Sequence, residues 1–185
     1  MLMDQTLKEL IEAGHGVAII VAGSDSDKPH IEKIITALRR QYRVPYEVRI
    51  LSAHKQALGD EIGDFIREYQ EFAGYPLAFI AVAGGTDALS GMLAFNLPFP
   101  VISCAPDATP TAPNISCLTN PPGNSNACII RPENAARFVA QMFAWCNHNI
   151  AERLLQEEAK KVSSLNAADR ESRVGMLYLG EEEED

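Results

Sequence analysis

VAIIVAGSDSD, residues 17–27, reads as a buried strand that runs into a tight turn and then a helix. Its first six residues are continuously apolar and mostly β-branched, the pattern of a strand covered on both faces. Gly23 interrupts the run where a chain must turn sharply or approach a ligand closely. Ser24, Ser26 and Asp27 follow, and all three favour a helix N-cap. Ile31, Ile34, Ile35 and Leu38 then recur at helical spacing. The free N–H groups of that helix and the neighbouring hydroxyls make a ready anion site, phosphate being the best fit. The plainer alternative is that Ser24 or Asp27 only caps the helix, and the stretch alone does not separate the two. It is neither a GxGxxG fingerprint nor a P-loop, so it points to neither a dinucleotide nor a nucleoside triphosphate.

The same alternation continues outward. A short helix is expected over about residues 4–13 and the first helix after the quoted strand over 28–42. YEVRILSA (46–53) is a second strand, and a helix over about 57–72 carries Leu58, Ile62, Phe65, Ile66 and Tyr69 on one face. LAFIAVA (77–83) is a third buried strand leading into GGTDALSG and a short helix over MLAFN; PVISCA (100–105) is a fourth. Residues 106–126, rich in Pro, Asn, Thr and Ser, read as a long surface loop with room for one short helix, a candidate lid. ACIIR (127–131) is a short strand. PENAARFVAQMFAWCNH (132–148) is a helix with Pro132 in its first turn. Residues 149–164 continue it or start another, and beyond about 165 the polar chain is expected to be extended or frayed. Strands alternating with helices predict an α/β fold, a central parallel sheet with helices on both faces. Ligands of such sheets sit beyond the C-terminal strand ends. Three of those ends carry GSDSD, SAHK and GGTDALSG, and their coincidence makes a site credible where one turn alone would not.

Composition narrows the function. A formal charge of -9 and an isoelectric point near 4.9 argue against a nucleic-acid partner. Part of that charge is the terminal EEEED, read as a solvated tail. No apolar span reaches membrane-crossing length, and the N-terminus lacks the apolar stretch of a signal peptide. Cys104, Cys117, Cys128 and Cys146 show no CxxC spacing and suit buried free thiols of a cytoplasmic protein, and no metal-ligand pattern joins them to histidines.

His54 stands apart from His15, His30 and His148, which are read as structural or solvent-exposed. It lies at a strand end between Ser52 and Lys55, where an imidazole can take and give a proton at neutral pH. Lys55 supplies a positive charge suited to phosphate or carboxylate. A surface histidine in a loop is the bland alternative. No GxSxG elbow marks a hydrolase nucleophile.

VAGSDSD, LSAHK and AVAGGTDALSG, with PVISC after them, together resemble the family of aminoimidazole ribonucleotide carboxylases and carboxyaminoimidazole ribonucleotide mutases of purine biosynthesis, over about residues 16–146. The resemblance implies a flavodoxin-like three-layer fold. It also implies a homo-oligomer with the octamer as the usual form, a C-terminal helix packed on a neighbouring subunit, and no metal or organic cofactor. It divides the chain into an N-terminal helical extension (1–15), a carboxylase-like domain (16–148) and a C-terminal helix with acidic tail (149–185). Small-molecule ribonucleotide and carbon dioxide are the implied partners. His54 matches the family's proton-transfer histidine, and Ser24, Asp27, Ser52 and Lys55 match residues at the ribose phosphate, with Ser26 in the same turn. The Gly84 backbone and the Thr86 hydroxyl match residues near the ring and carboxylate, with Gly85, Asp87 and Ser90 completing that motif.

Lys55 and ALSG (88–91) resemble the branch that takes carbon dioxide directly, whose motifs are SAHK and AGRSNALSG. Gly85 resembles the mutase branch, which has SAHR and AGGAAHLPG and moves a carboxylate from the exocyclic amine to the ring carbon. Thr86 and Asp87 replace the Ser and Asn of the direct branch. An anionic Asp87 facing the pocket would repel a carboxylate unless protonated or turned away. Besides the direct carboxylase, the sequence therefore leaves a mutase, a carboxylase of another nucleotide, or a nucleotide-binding regulatory protein. His54 speaks against the last, since phosphate binding alone needs no imidazole there.

Overall fold

The computed structural model describes residues 3–54 and 61–179, the side chains of 174–179 excepted. The expected strands and helices alternate through it. Helix α1 (Gln5–Glu12) starts at the N-cap Asp4, whose carboxylate accepts from the Thr6 and Leu7 N–H groups. Strand β1 (Val17–Ala22) follows, then a 3-10 turn (Asp25–Asp27) and α2 (Lys28–Thr36), which widens into a π-helical segment over Ala37–Tyr42. Next come β2 (Tyr46–Ile50), α3 (Glu61–Gln70), β3 (Leu77–Val82), α4 (Ala88–Asn96) and β4 (Val101–Ser103). After a 3-10 turn (Ser116–Thr119) the chain adds β5 (Ala127–Cys128), α5 (Pro132–Phe143) and α6 (His148–Leu179). The expected start of α3, with Leu58, lies outside the described residues.

The five strands are all parallel in the order β2-β1-β3-β4-β5, the flavodoxin-like arrangement. Side chains alternate between two cores, as a pleated strand requires. Ala18, Ile20 and Ala22 of β1 face α2 and α5, where Leu38, Ala136, Val139 and Phe143 are buried. Val17, Ile19 and Val21 face the other side, against Ile11 of α1, Phe65 and Tyr69 of α3 and Leu93 of α4. A β-carbon on Gly16 would fall 2.2 Å from the Phe143 ring, so the entry to β1 is one place where only glycine fits. At the edge strand β2, Glu47 and Arg49 form an ion pair, Glu47 also accepts from the Tyr69 hydroxyl, and Arg49 lies over the Phe65 ring. Charges on an edge discourage pairing with a foreign strand.

Register positions the site. Ala22 stands opposite both Ile50 of β2 and Val82 of β3, so three neighbouring strands end level. Strand order also reverses at β1, with β2 on one side and β3 on the other. The crevice outside such a reversal is the usual ligand position.

The structure corrects several boundaries. The fourth and fifth strands are three and two residues long, because β4 pairs with β3 only from Phe79 to Ala81 and with β5 only at Ile102 and Ser103. Helix α4 begins at Ala88, earlier than its apolar run suggests, because Asp87 caps it. The helix expected over 132–148 stops at Phe143, and a new one starts at His148. The tail beyond 165 is not extended: α6 continues to Leu179. Its sequence is dominated by Ala, Leu, Glu, Lys and Arg, good helix formers, and carries helical-spacing ion pairs at Lys160–Glu157 and Arg173–Asp169.

Candidate active site

Each of the three level strand ends contributes one turn to a cavity of about 290 Å³. That volume sits near the lower end of the roughly 300–1,000 Å³ typical of small-molecule sites. Larger hollows occur beside α1, about 600 Å³ around Leu10 and Tyr46, and along α6, about 560 Å³, but neither touches the three motifs.

From β1 come Gly23, Ser24, Ser26 and Asp27. The capping reading of this stretch is realised: the Ser24 hydroxyl accepts from the Ser26 N–H at 3.3 Å, and the Asp27 carboxylate accepts from the Ser24 N–H at 3.1 Å. The turn is thus closed by its own side chains, with the Ser24 and Ser26 hydroxyls 2.9 Å apart on the cavity wall. Capping and lining coexist in the same residues. Burial raises the Asp27 carboxyl above the usual aspartate range against the pull of the Ser24 N–H, and the charges of Asp107 and Asp25 add to the rise.

From β2 come Ser52, Ala53 and His54, the last an exposed side chain at the mouth. Lys55 lies outside the described residues. His30, on α2, is half-buried with Nε2 3.3 Å from Cys104 Sγ. Burial lowers the imidazole's pKa and pushes the Cys104 thiol up to about 12, which fits a structural pair.

From β3 come Ala83, Gly84 and Thr86, with Leu89 behind them. Gly85 has φ +67°, the left-handed region that glycine enters freely, which accounts for glycine here. Asp87 and Ser90 do not line the cavity. Asp87 is 2% exposed and turned inward, where its carboxylate accepts from the Ser90 N–H at 3.0 Å and from the Ser103 hydroxyl. The anion expected to oppose a substrate carboxylate is instead the N-cap of α4. Ser90 is fully buried within that helix.

The motifs did not reveal the outer support of the β3 turn. Asp107, Asn114 and Ser116, from the loop after β4, bond to Gly85 and to the Asp87 N–H. The loop expected as a lid is fastened to the site wall here. A sequence signal existed in the loop's richness in Asn, Thr and Ser, but nothing local says which backbone groups they meet.

Residues 17–164 match the family model for AIR carboxylase. This chain belongs to the AIR carboxylase family. A curated phosphoribosylaminoimidazole carboxylase of Treponema denticola is 34% identical over 151 residues, covering 79% of this chain and 92% of the relative. One from Archaeoglobus fulgidus is 32% identical, covering 86% and 87%. A bifunctional phosphoribosylaminoimidazole carboxylase/phosphoribosylaminoimidazole succinocarboxamide synthetase from Rattus norvegicus is 37% identical over 84% of this chain, which spans only 36% of that relative's length. Among solved structures, Treponema denticola PurE aligns with a TM-score of 0.76 at 30% identity, covering 84% of this chain and 98% of that one. The fold thus agrees with a Treponema denticola PurE structure across most of the chain.

Proposed function

We propose that this chain carboxylates 5-aminoimidazole ribonucleotide with carbon dioxide, giving 4-carboxy-5-aminoimidazole ribonucleotide for purine biosynthesis. The observation that carries the reading is the convergence of GSDSD, the Ser52–His54 turn and the Gly84–Thr86 turn on one cavity at level strand ends. The aminoimidazole ring is enamine-like. Its ring carbon attacks the carbon of carbon dioxide and a C–C bond forms, leaving that ring carbon bearing both hydrogen and carboxylate. His54 takes the hydrogen as a proton, the C–H electron pair restores the aromatic ring, and the imidazolium returns the proton to solvent. Ser24, Ser26 and the N-terminus of α2 hold the phosphate with Ser52 and Lys55. Gly84 and Thr86 face the ring and the new carboxylate. Holding a weak electrophile beside the ring is an orientation task for which a small cavity is suited.

Gly85 favours a second reading, the mutase that starts from the carbamate. In this proposal the enzyme works as a homo-oligomer in the cytoplasm, a compartment that the four free cysteines suit. Product analysis tests the function: the ribonucleotide with bicarbonate, with and without ATP and a carbamate-forming enzyme. Product from bicarbonate alone is expected. Product only when carbamate is generated would assign the mutase.

A further inference from the structure

We infer that Asp107 is a positioning residue: its carboxylate, accepting on both oxygens, fixes the Gly84–Thr86 turn in the geometry that the carboxylation step uses. The inference rests on the carboxylase reading of the cavity. Asp107 does not line that cavity, so it acts through the turn and not on substrate.

The turn has little to hold it locally. Gly85 is in the left-handed region, and a β-carbon there would meet nothing within 4 Å. Two adjacent glycines have more conformational freedom than any other pair. The restraint comes from the loop after β4. The Gly85 N–H donates to Asp107 Oδ2 at 2.8 Å, and the Gly85 carbonyl accepts from Asn114 Nδ2 at 2.8 Å. Asn114 Nδ2 also donates to Asp107 Oδ1 at 3.0 Å, which closes a ring of three residues through the N–H and carbonyl of Gly85. Ser116 steadies Asn114, its N–H donating to Asn114 Oδ1 at 3.1 Å and its hydroxyl at 2.7 Å. A hydroxyl has one proton, and the shorter contact, to Asn114 rather than to the Gly85 carbonyl at 3.3 Å, takes it. The Ser116 oxygen then accepts from the Asp87 N–H at 2.9 Å, tying the clamp to the cap of α4.

Only an acceptor on both arms completes this ring. An amide at position 107 keeps the size but must turn its NH2 group toward either the Gly85 N–H or the Asn114 NH2, setting donor against donor. Asp107 is also pressed against the turn: a β-carbon on Gly84 would lie 3.3 Å from its carboxylate. The two bonds hold the Asp107 carboxyl below the usual aspartate range, so the acceptor pair persists at neutral pH.

The test compares Asp107→Asn with Asn114→Asp, which breaks the same ring from its other side by setting an acceptor-only carboxylate against both the Gly85 carbonyl and Asp107. In Asp107→Asn, kcat is expected to fall about 10- to 100-fold, the scale of a small misplacement of reacting groups. Affinity for the ribonucleotide should hold within a few-fold, because phosphate binding sits on the separate β1 turn. Asn114→Asp should show the same pattern, a lowered kcat with affinity held within a few-fold. Unchanged kcat in either variant, or equal losses in kcat and affinity, would overturn the inference. Amide hydrogen exchange at Gly85 reads the clamp without turnover, and faster exchange in both variants is expected. An unmoved Gly85 exchange rate refutes the clamp whatever the substrate is, whereas wild-type enzyme that makes no product refutes the carboxylase reading instead.

Discussion

Ser103, the last residue of β4, donates its hydroxyl to the buried carboxylate of Asp87 at the head of α4. The contact joins the third and fourth βα units beside the Gly84–Thr86 turn, and it assigns Asp87 a structural task.

Asp87→Ala is therefore expected to destabilise the fold. It removes an N-cap, about 1 kcal/mol, and orphans a buried Ser103 hydroxyl, about 1–3 kcal/mol. Urea denaturation should show a loss of roughly 2–4 kcal/mol with an unchanged slope. A loss of turnover with full stability would instead return Asp87 to the chemistry.

His54→Asn should behave in the opposite way. The side chain is exposed at the cavity mouth, so the denaturation midpoint should not move. Turnover should drop by roughly 10²–10⁴-fold, the contribution of a general acid or base, while ribonucleotide still binds. Near-normal turnover would remove His54 from the proton transfer.

Lys55→Ala tests the phosphate end. Calorimetric titration with the ribonucleotide should show weakened affinity, with kcat at saturating substrate much less affected. Equal affinity in the variant would leave the phosphate to the β1 turn alone.

The two carboxylates near the cavity should titrate in a fixed order. Asp27 lies above the usual aspartate range and Asp107 below it, so acidification protonates Asp27 first. The linkage signs follow. The folded state favours protonated Asp27, so its stabilising share is complete at low pH and fades as pH rises through its folded value. Asp107's share is complete above the usual aspartate range and fades only as pH falls through its lower folded value. Carboxyl NMR titration checks the order. In Asp107→Asn the Asp27 value should also move down, since a neighbouring negative charge is gone.

The proposed assembly is expected to draw on α6 and not on α5. The apolar stripe of 132–146 is already covered, with Ala135, Ala136, Val139, Ala140 and Phe143 buried against the chain's own sheet. Among the described residues, exposed apolar side chains include Leu155, Val162 and Leu165 on α6, at 68%, 51% and 70% exposure, and Trp145 at 81%, besides Phe95, Ile115 and Leu118 near α4. Light scattering at micromolar concentration is expected to report a homo-oligomer, and Leu165→Glu should shift it toward smaller species. A wild-type monomer would rule this out.

The sequence carried the fold because its central strands are read from local pattern: VAIIVA and LAFIAV are apolar throughout and both are fully buried. It also carried the three cavity turns, since each follows a strand directly. PVISCA misled at its ends because strand length is set by the neighbour's pairing, which no local pattern encodes. The same holds for register: nothing in the residues themselves places Ala22 level with Ile50 and Val82. Asp87 was legible as a capping type but not in its direction. Asp107, Asn114 and Ser116 were invisible as a clamp because their partners lie 22 to 31 residues away, without periodicity.

The β1 turn closes on itself within four residues, whereas the β3 turn is fastened from a distant loop. These two modes of attachment give the two ends of the cavity different evolutionary freedom. Under the proposed function, a mutation in the loop can retune the Gly84–Thr86 end of the cavity while the Ser24–Asp27 end keeps its shape, so new specificities can be tried without first dismantling an old one. Grafting the loop from a relative, with position 85 matched to it, is accordingly the economical route to altering this scaffold's selectivity.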